Sequence, residues 1–107
     1  MRKAFNMIGL AFKAGRAVSG LDAVEQSLRK GKSCLVIISN DLTDNSRDKV
    51  VSACAAARVP WMVLGDRYEL GACIGKEYRV AVSINDSGFA KALAELDAGA
   101  GKNNGGA

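Results

Sequence analysis

Two hydrophobic periods alternate along the chain. Cys34-Leu35-Val36-Ile37-Ile38-Ser39 is a short, unbroken apolar run rich in β-branched residues. Its length suits a strand, and a strand without polar alternation is buried on both faces, so helices cover both sides of it. Before it the spacing is helical. Ala4, Phe5, Ile8, Ala11 and Phe12 form one stripe of a helix over 3–14, with Lys3, Asn6 and Lys13 outside the stripe and Gly15 as the stop. Arg16 to Ser19 reads as a very short strand. Ser19 or Gly20 then opens a helix running through Lys30, with Leu21, Val24 and Leu28 facing inward. Asp22 and Glu25 near its start, and Arg29 and Lys30 at its end, complement the helix dipole.

After the central strand, Thr43 or Asp44 caps a helix over 45–57 with Val50, Val51, Cys54 and Ala55 inward. Arg58-Val59-Pro60 ends it, because a residue before proline avoids helical geometry. Trp61 to Leu64 is a second buried strand. Asp66 caps a short helix from Arg67 to Cys73, and Gly75 to Tyr78 is a loop. Arg79 to Ile84 is another strand, and Asp86 caps a last helix with Phe89, Ala90, Leu93 and Leu96 on its stripe. Helices and strands alternate throughout, which predicts an α/β fold: a three-layer α/β/α sandwich on a small four-stranded mixed sheet. Residues 1–97 make one domain. Residues 98–107 carry no apolar stripe and are expected to form a disordered Gly/Asn-rich tail.

Composition removes several classes of function. No apolar run approaches the roughly 18–20 residues that span a bilayer, so no membrane partner is expected. Met1 to Asn6 does not read as a secretory leader, since Lys3 and Asn6 interrupt it. Cys34, Cys54 and Cys73 lack paired metal-ligand spacing, and the chain has no His. They read as reduced core residues of a cytoplasmic protein, without a metal site or cofactor. Gly31-Lys32-Ser33 resembles the end of a phosphate-binding loop. It fails as one, because Gln26 stands where that motif needs glycine and the Lys follows a helix instead of opening one. Asp66, Glu69 and Glu77 read as a cap and surface charges, so no catalytic constellation emerges and the chain is not expected to be an enzyme.

Charge points elsewhere. Residues 1–32 hold seven Lys/Arg against two acids, whereas 33–107 hold eight against nine. A basic first third favours an anionic partner. The turn Lys13-Ala14-Gly15-Arg16, the helix start Ser19-Gly20-Leu21-Asp22, and the loops 40–43 and 75–78 are expected to form a ring at one end of the sandwich. A glycine-led helix start directs free N–H groups at phosphate, and neighbouring cations add sequence-independent attraction.

Three stretches carry a family resemblance: VSGLDAVEQSLRKGKSCLVIISNDLT (Val18 to Thr43), VPWMVLGDRYELGACIGKEYRVAVSI (Val59 to Ile84) and DSGFAKAL (Asp86 to Leu93). The chain resembles the kink-turn-binding ribosomal proteins of the L-seven-Ae and L-thirty-e superfamily, most closely their small bacterial YlxQ-like members, over residues 4–97. The resemblance implies the α/β/α sandwich, binding of kinked RNA duplexes with sheared G·A pairs, and no catalysis. It also implies RNA contacts at a glycine-led second helix carrying Asn, Glu and Lys. Gly20 keeps that glycine, but Asp22, Ala23 and Gln26 occupy the other three positions. A second contact, an apolar loop before the last strand, corresponds to Ile74 to Tyr78, where Lys76 and Glu77 replace apolar residues. Tyr78 is either a stacking face for a base or a half-buried packing residue.

The expectation is therefore a monomeric, cytoplasmic, non-catalytic protein that binds structured RNA, either ribosomal or kink-turn RNA, within the ribosome or another ribonucleoprotein. The expected contacts are Lys13, Arg16, Ser19, Gly20, Leu21, Asp22, Gln26, Lys32, Lys76, Glu77 and Tyr78. The alternative is a protein-interaction or assembly module of the same fold without kink-turn recognition. A basic, unblocked Gly20 edge separates the two.

Overall fold

A computed structural model describes residues 2–99. The elements run α1 (Arg2–Lys13), β1 (Ala17–Ser19), α2 (Leu21–Arg29), β2 (Leu35–Ile38), α3 (Asp44–Ala57), β3 (Trp61–Val63), α4 (Arg67–Ala72), β4 (Ala81–Ile84) and α5 (Ser87–Gly99). The strands form one mixed sheet in the order β1-β4-β2-β3. β4 runs antiparallel to both its neighbours, and β2 is parallel to β3.

Every residue of β2 is buried, as the apolar run requires. Its side chains alternate between two cores. Leu35 and Ile37 join Ile8, Ala11, Leu70, Val82, Ile84 and Leu93 beneath α1, α4 and α5. Val36 and Ile38 join Val24, Leu28, Val50 and Cys54 beneath α2 and α3. Each face of the sheet is thus closed by helices, giving the three-layer sandwich. Where β4 presents Ser83 to the α2 side, a polar relay satisfies it. The Ser83 and Ser33 hydroxyls lie 2.8 Å apart, Ser83 also meets Asn85 Oδ1 at 2.7 Å, and Asn85 Nδ2 donates to Ser27 at 3.1 Å.

Three local outcomes differ from the pattern. α3 stops at Arg58 before the proline acts: Arg58 takes a left-handed conformation (φ 59), and the N–H groups of Arg58 and Val59 bond back to Ala55 and Cys54. β4 begins two residues later than Arg79, whose N–H donates to the Arg67 carbonyl at 3.0 Å and ties it to the start of α4. α5 continues to Gly99, two residues past the expected domain end. The tail expected over 98–107 falls, from residue 100 onward, outside the described residues. Among the described residues no helix is long and apolar enough to cross a membrane.

Candidate nucleic-acid interface

The first turn of α2 is open. Gly20 precedes it with φ 100 and ψ 150, and no side chain caps the helix. That backbone region belongs almost wholly to glycine. The Gly20 N–H donates to Ala81 and its carbonyl accepts from Val24, which anchors the turn to β4. The N–H groups of Leu21, Asp22 and Ala23 come too early for partners inside the helix. They carry the positive end of the helix dipole into an open groove.

The groove has a volume of about 530 Å³ and is lined by Ser19, Gly20, Leu21, Asp22, Ala23, Tyr78, Arg79 and Val80. Arg79 ties its two walls together. Its Nε donates to Ser19 Oγ at 3.0 Å and its Nη1 to the Tyr78 carbonyl at 2.7 Å. The guanidinium therefore stands at the groove in one fixed pose, with donors to spare.

Tyr78 is 49% exposed, and its ring meets Tyr68 edge to face, with centroids 6.5 Å apart. Tyr68 is 62% exposed. Two aromatic faces thus stand beside the groove. They are held by α4, whose start is fastened twice. Asp66 and Glu69 form a reciprocal capping box. Asp41 accepts from the Arg67 N–H and pairs with the Arg67 guanidinium at 3.1 Å, while Arg67 Nη2 donates to the Asp41 carbonyl at 2.9 Å. Partial desolvation pushes the Asp41 carboxyl up, but the Ser39 hydroxyl and Arg67 outweigh it and hold it below the usual carboxylate range. The Ser39 hydroxyl is buried and closes no hydrogen bond of ordinary geometry, so Arg67 is the firmer of the two partners. Gly71 completes the support. A β-carbon there would lie 2.5 Å from the Tyr78 Cα, so the tyrosine loop rests directly on the α4 backbone.

The fold brings Ser19, Gly20, Leu21, Asp22 and Tyr78 into this one groove. Gln26 is exposed further along α2, and Lys76 and Glu77 are exposed in the loop leading to Tyr78. Loop 40–43 reaches the same end of the sheet, since Asn40 follows β2 and bonds to Gly65 after β3. Lys13 lines a second pocket with Cys73, Ile74 and Gly75, beside the loop that leads to Tyr78 but outside the Gly20 groove, and the expected single ring of loops needs correction for Arg16 and Lys32. Arg16 enters β1 and Gly20 leaves it, so at the usual strand rise they stand about 13 Å apart at opposite ends of the sheet. Lys32 lies beyond the far end of α2, where its N–H bonds to Ser27. The helix starts and loops at the Gly20 end carry Asp22, Asp41, Asp44, Asp66, Glu69 and Glu77 against Arg2, Lys3, Arg47, Arg67, Lys76 and Arg79, so charge balances there. It is not the basic end of the molecule.

Arg79 and Tyr68 were not among the residues singled out from the sequence. Arg79 was hidden within an apparent strand, and its neighbour Tyr78 was the available signal. Tyr68 was hidden in the first turn of a short helix, where the Asp66 cap was the more visible feature. Among the described residues no group of three His, Cys, Asp or Glu is placed to hold a metal ion.

Comparison with known proteins agrees with this architecture. Residues 2–94 match the model of the ribosomal protein L7Ae/L30e/S12e/Gadd45 family. RNA-binding protein YlxQ of Bacillus subtilis is 39% identical over 92 residues, covering 86% of this chain and 92% of that protein. Large ribosomal subunit protein eL30 of Dictyostelium discoideum is 30% identical over 93 residues, covering 85% and 83%. A solved structure from Bacillus halodurans, of a protein described as having unknown function, superposes with a TM-score of 0.84 at 34% identity, covering 88% of this chain and 95% of that one. With the sandwich, the open α2 start and a family match across nearly all described residues, the chain belongs to the ribosomal protein L7Ae/L30e/S12e/Gadd45 family.

Proposed function

We propose that the protein is a non-catalytic RNA-binding protein that takes structured, kink-turn-like RNA in the Gly20 groove, as a cytoplasmic monomer acting on ribosomal or other ribonucleoprotein RNA. The observation that carries this reading is the uncapped α2 start facing Tyr78 and Arg79 across one groove. Free N–H groups and a fixed guanidinium suit phosphate oxygens, and exposed tyrosine faces suit bases splayed from a stack. Family membership and the RNA-binding and ribosomal names of the relatives support it.

Asp22 tunes the specificity. An ionised carboxylate only accepts hydrogen bonds, so it suits the amino group of guanine or cytosine and repels phosphate. Gln26 is neutral, leaving this face of α2 without a cation one turn on. Asp22→Asn combined with Gln26→Lys is therefore expected to tighten kink-turn binding by about 1–3 kcal/mol if one good base contact is gained. Calorimetric titration against a kink-turn duplex and a straight duplex of equal length checks this. A gain confined to the kinked RNA supports base reading at Asp22. An equal gain on both means that only charge has changed.

The lack of a cationic excess at the Gly20 end gives the second reading its specific support: an assembly module of the same fold that docks a protein there. Failure of the double variant to gain on either RNA would favour that reading.

A further inference from the structure

At the pole opposite the Gly20 groove, α1, α2 and α3 end and β1, β2 and β3 begin. Lys13, Arg16, Arg29, Lys30, Lys32 and Arg58 all stand at this pole, and all are exposed. The carboxylate at the end of β4, Asp86, is engaged by the Phe89 N–H at 2.9 Å. Lys13, Arg29, Lys30 and Arg58 have a sufficient local reason, since each closes a helix where a cation offsets the negative end of the dipole.

Arg16 and Lys32 stand one step further on, their N–H groups bonding back to Ala11 and Ser27 in the turns that close α1 and α2. Each lies beyond a helix, just before a strand, and among the described residues neither has an ion-pair partner. Their positions are nonetheless linked. Arg16 leads into β1 and Lys32 into β2, and the first residues of both strands, Ala17 and Leu35, register with Ile84 of the intervening β4. The Arg16 carbonyl accepts from Asn85 at 2.7 Å, and the Cys34 N–H donates to Ile84 at 2.7 Å. The two turns are thus pinned on either side of one strand end, two strand spacings or about 10 Å apart. A pair of cations on pinned turns inside a wider basic field, with Glu25 beside Arg29 and the engaged Asp86 as its nearby carboxylates, complements a polyanion and offers nothing specific to a base edge.

We infer that this pole is a second RNA surface, independent of sequence, that grips phosphate backbone while the Gly20 groove engages a different stretch of RNA. The inference rests on RNA being the partner, but not on kink-turn recognition. The probe is a straight RNA duplex with no kink, titrated at several salt concentrations. Wild type binds it with strong salt dependence, and Arg16→Glu with Lys32→Glu weakens it at least about tenfold and flattens the log–log salt slope by about 1.5 units, two phosphate contacts being lost. Lys3→Glu with Lys49→Glu makes the same change in net charge on exposed positions away from this pole, and leaves most of the affinity. If the glutamate pair unfolds the protein, Arg16→Gln with Lys32→Gln gives the same ordering with a smaller loss. The inference is overturned if wild type ignores the straight duplex at low salt, in which case the pole faces an acidic protein or another anion. It is equally overturned if the two charge-matched variants lose equally. Kink-turn preference over the straight duplex is read separately, so failure of the groove assignment leaves this result standing.

Discussion

Gly20 is a conformational requirement before it is a contact. A β-carbon there meets nothing within 4 Å, yet φ is 100. Gly20→Ala is therefore expected to destabilise the fold by about 1–3 kcal/mol through backbone strain alone. Urea unfolding measures it, and an unchanged midpoint would mean the helix start adapts without cost. Binding and stability fall together in this variant, which makes Asp22 and Gln26 the better probes of recognition. The cysteines carry a second prediction at this scale. Burial pushes the Cys54 and Cys73 thiols up to about 11 from the ordinary 9.0. Both react slowly with alkylating reagents at neutral pH in the native state. Because the folded pKa is raised, their contribution to stability is complete below about pH 9 and is lost as pH rises towards 11. Unfolding midpoints measured across that window should fall, and a flat profile would contradict the burial. That Cys54 belongs to the core was legible from its apolar neighbours, whereas Cys34 and Cys73 pack against the core only partly buried. That Tyr78 is exposed was not, because a tyrosine at a loop–strand junction has the same local sequence whether it packs or protrudes.

At the scale of elements, the sequence was most readable where one period held without interruption. The apolar run of β2 and the stripe of α1 each specify a burial face, and Asp66 and Asp86 cap α4 and α5 as their positions suggested. Ends were less readable where a backbone contact from a distant element decided them. Arg79 looks like strand until its N–H is seen to serve Arg67 in α4. Arg58 looks like a helical residue held back by proline, whereas a left-handed turn ends α3 first. The close approach of α4 to the tyrosine loop belongs to this scale too. Gly71→Ala places a methyl 2.5 Å from the Tyr78 Cα, and backbone cannot swing aside as a flexible side chain would. We expect a loss of about 1–3 kcal/mol from overpacking, together with displacement of Tyr78 and weaker RNA binding. Wild-type stability with intact binding would show that the loop does not depend on this contact.

For the molecule as a whole, charge was the least legible property. Counting along the chain shows a basic first third, but β1 carries the chain from one end of the sheet to the other and α2 carries it back. Lys13, Arg16 and Lys32 therefore separate from Gly20, although Arg16 and Gly20 are only four residues apart. The result is an open groove at one end of the sheet and a cationic field at the other. The two proposed RNA surfaces thus lie at different ends, and binding assays must keep long-range attraction and structural discrimination apart. On this proposal salt dependence reports the cationic field, whereas the difference between RNAs of equal length and charge reports the groove. The most direct measurement is thus the affinity of the unaltered protein for a kink-turn duplex relative to a straight duplex of equal length, at one moderate salt concentration. Tighter binding of the kinked RNA, lost when Tyr78 is replaced by Ala, is the predicted result; equal affinity for both RNAs, unchanged by Tyr78→Ala, would contradict recognition at the Gly20 groove.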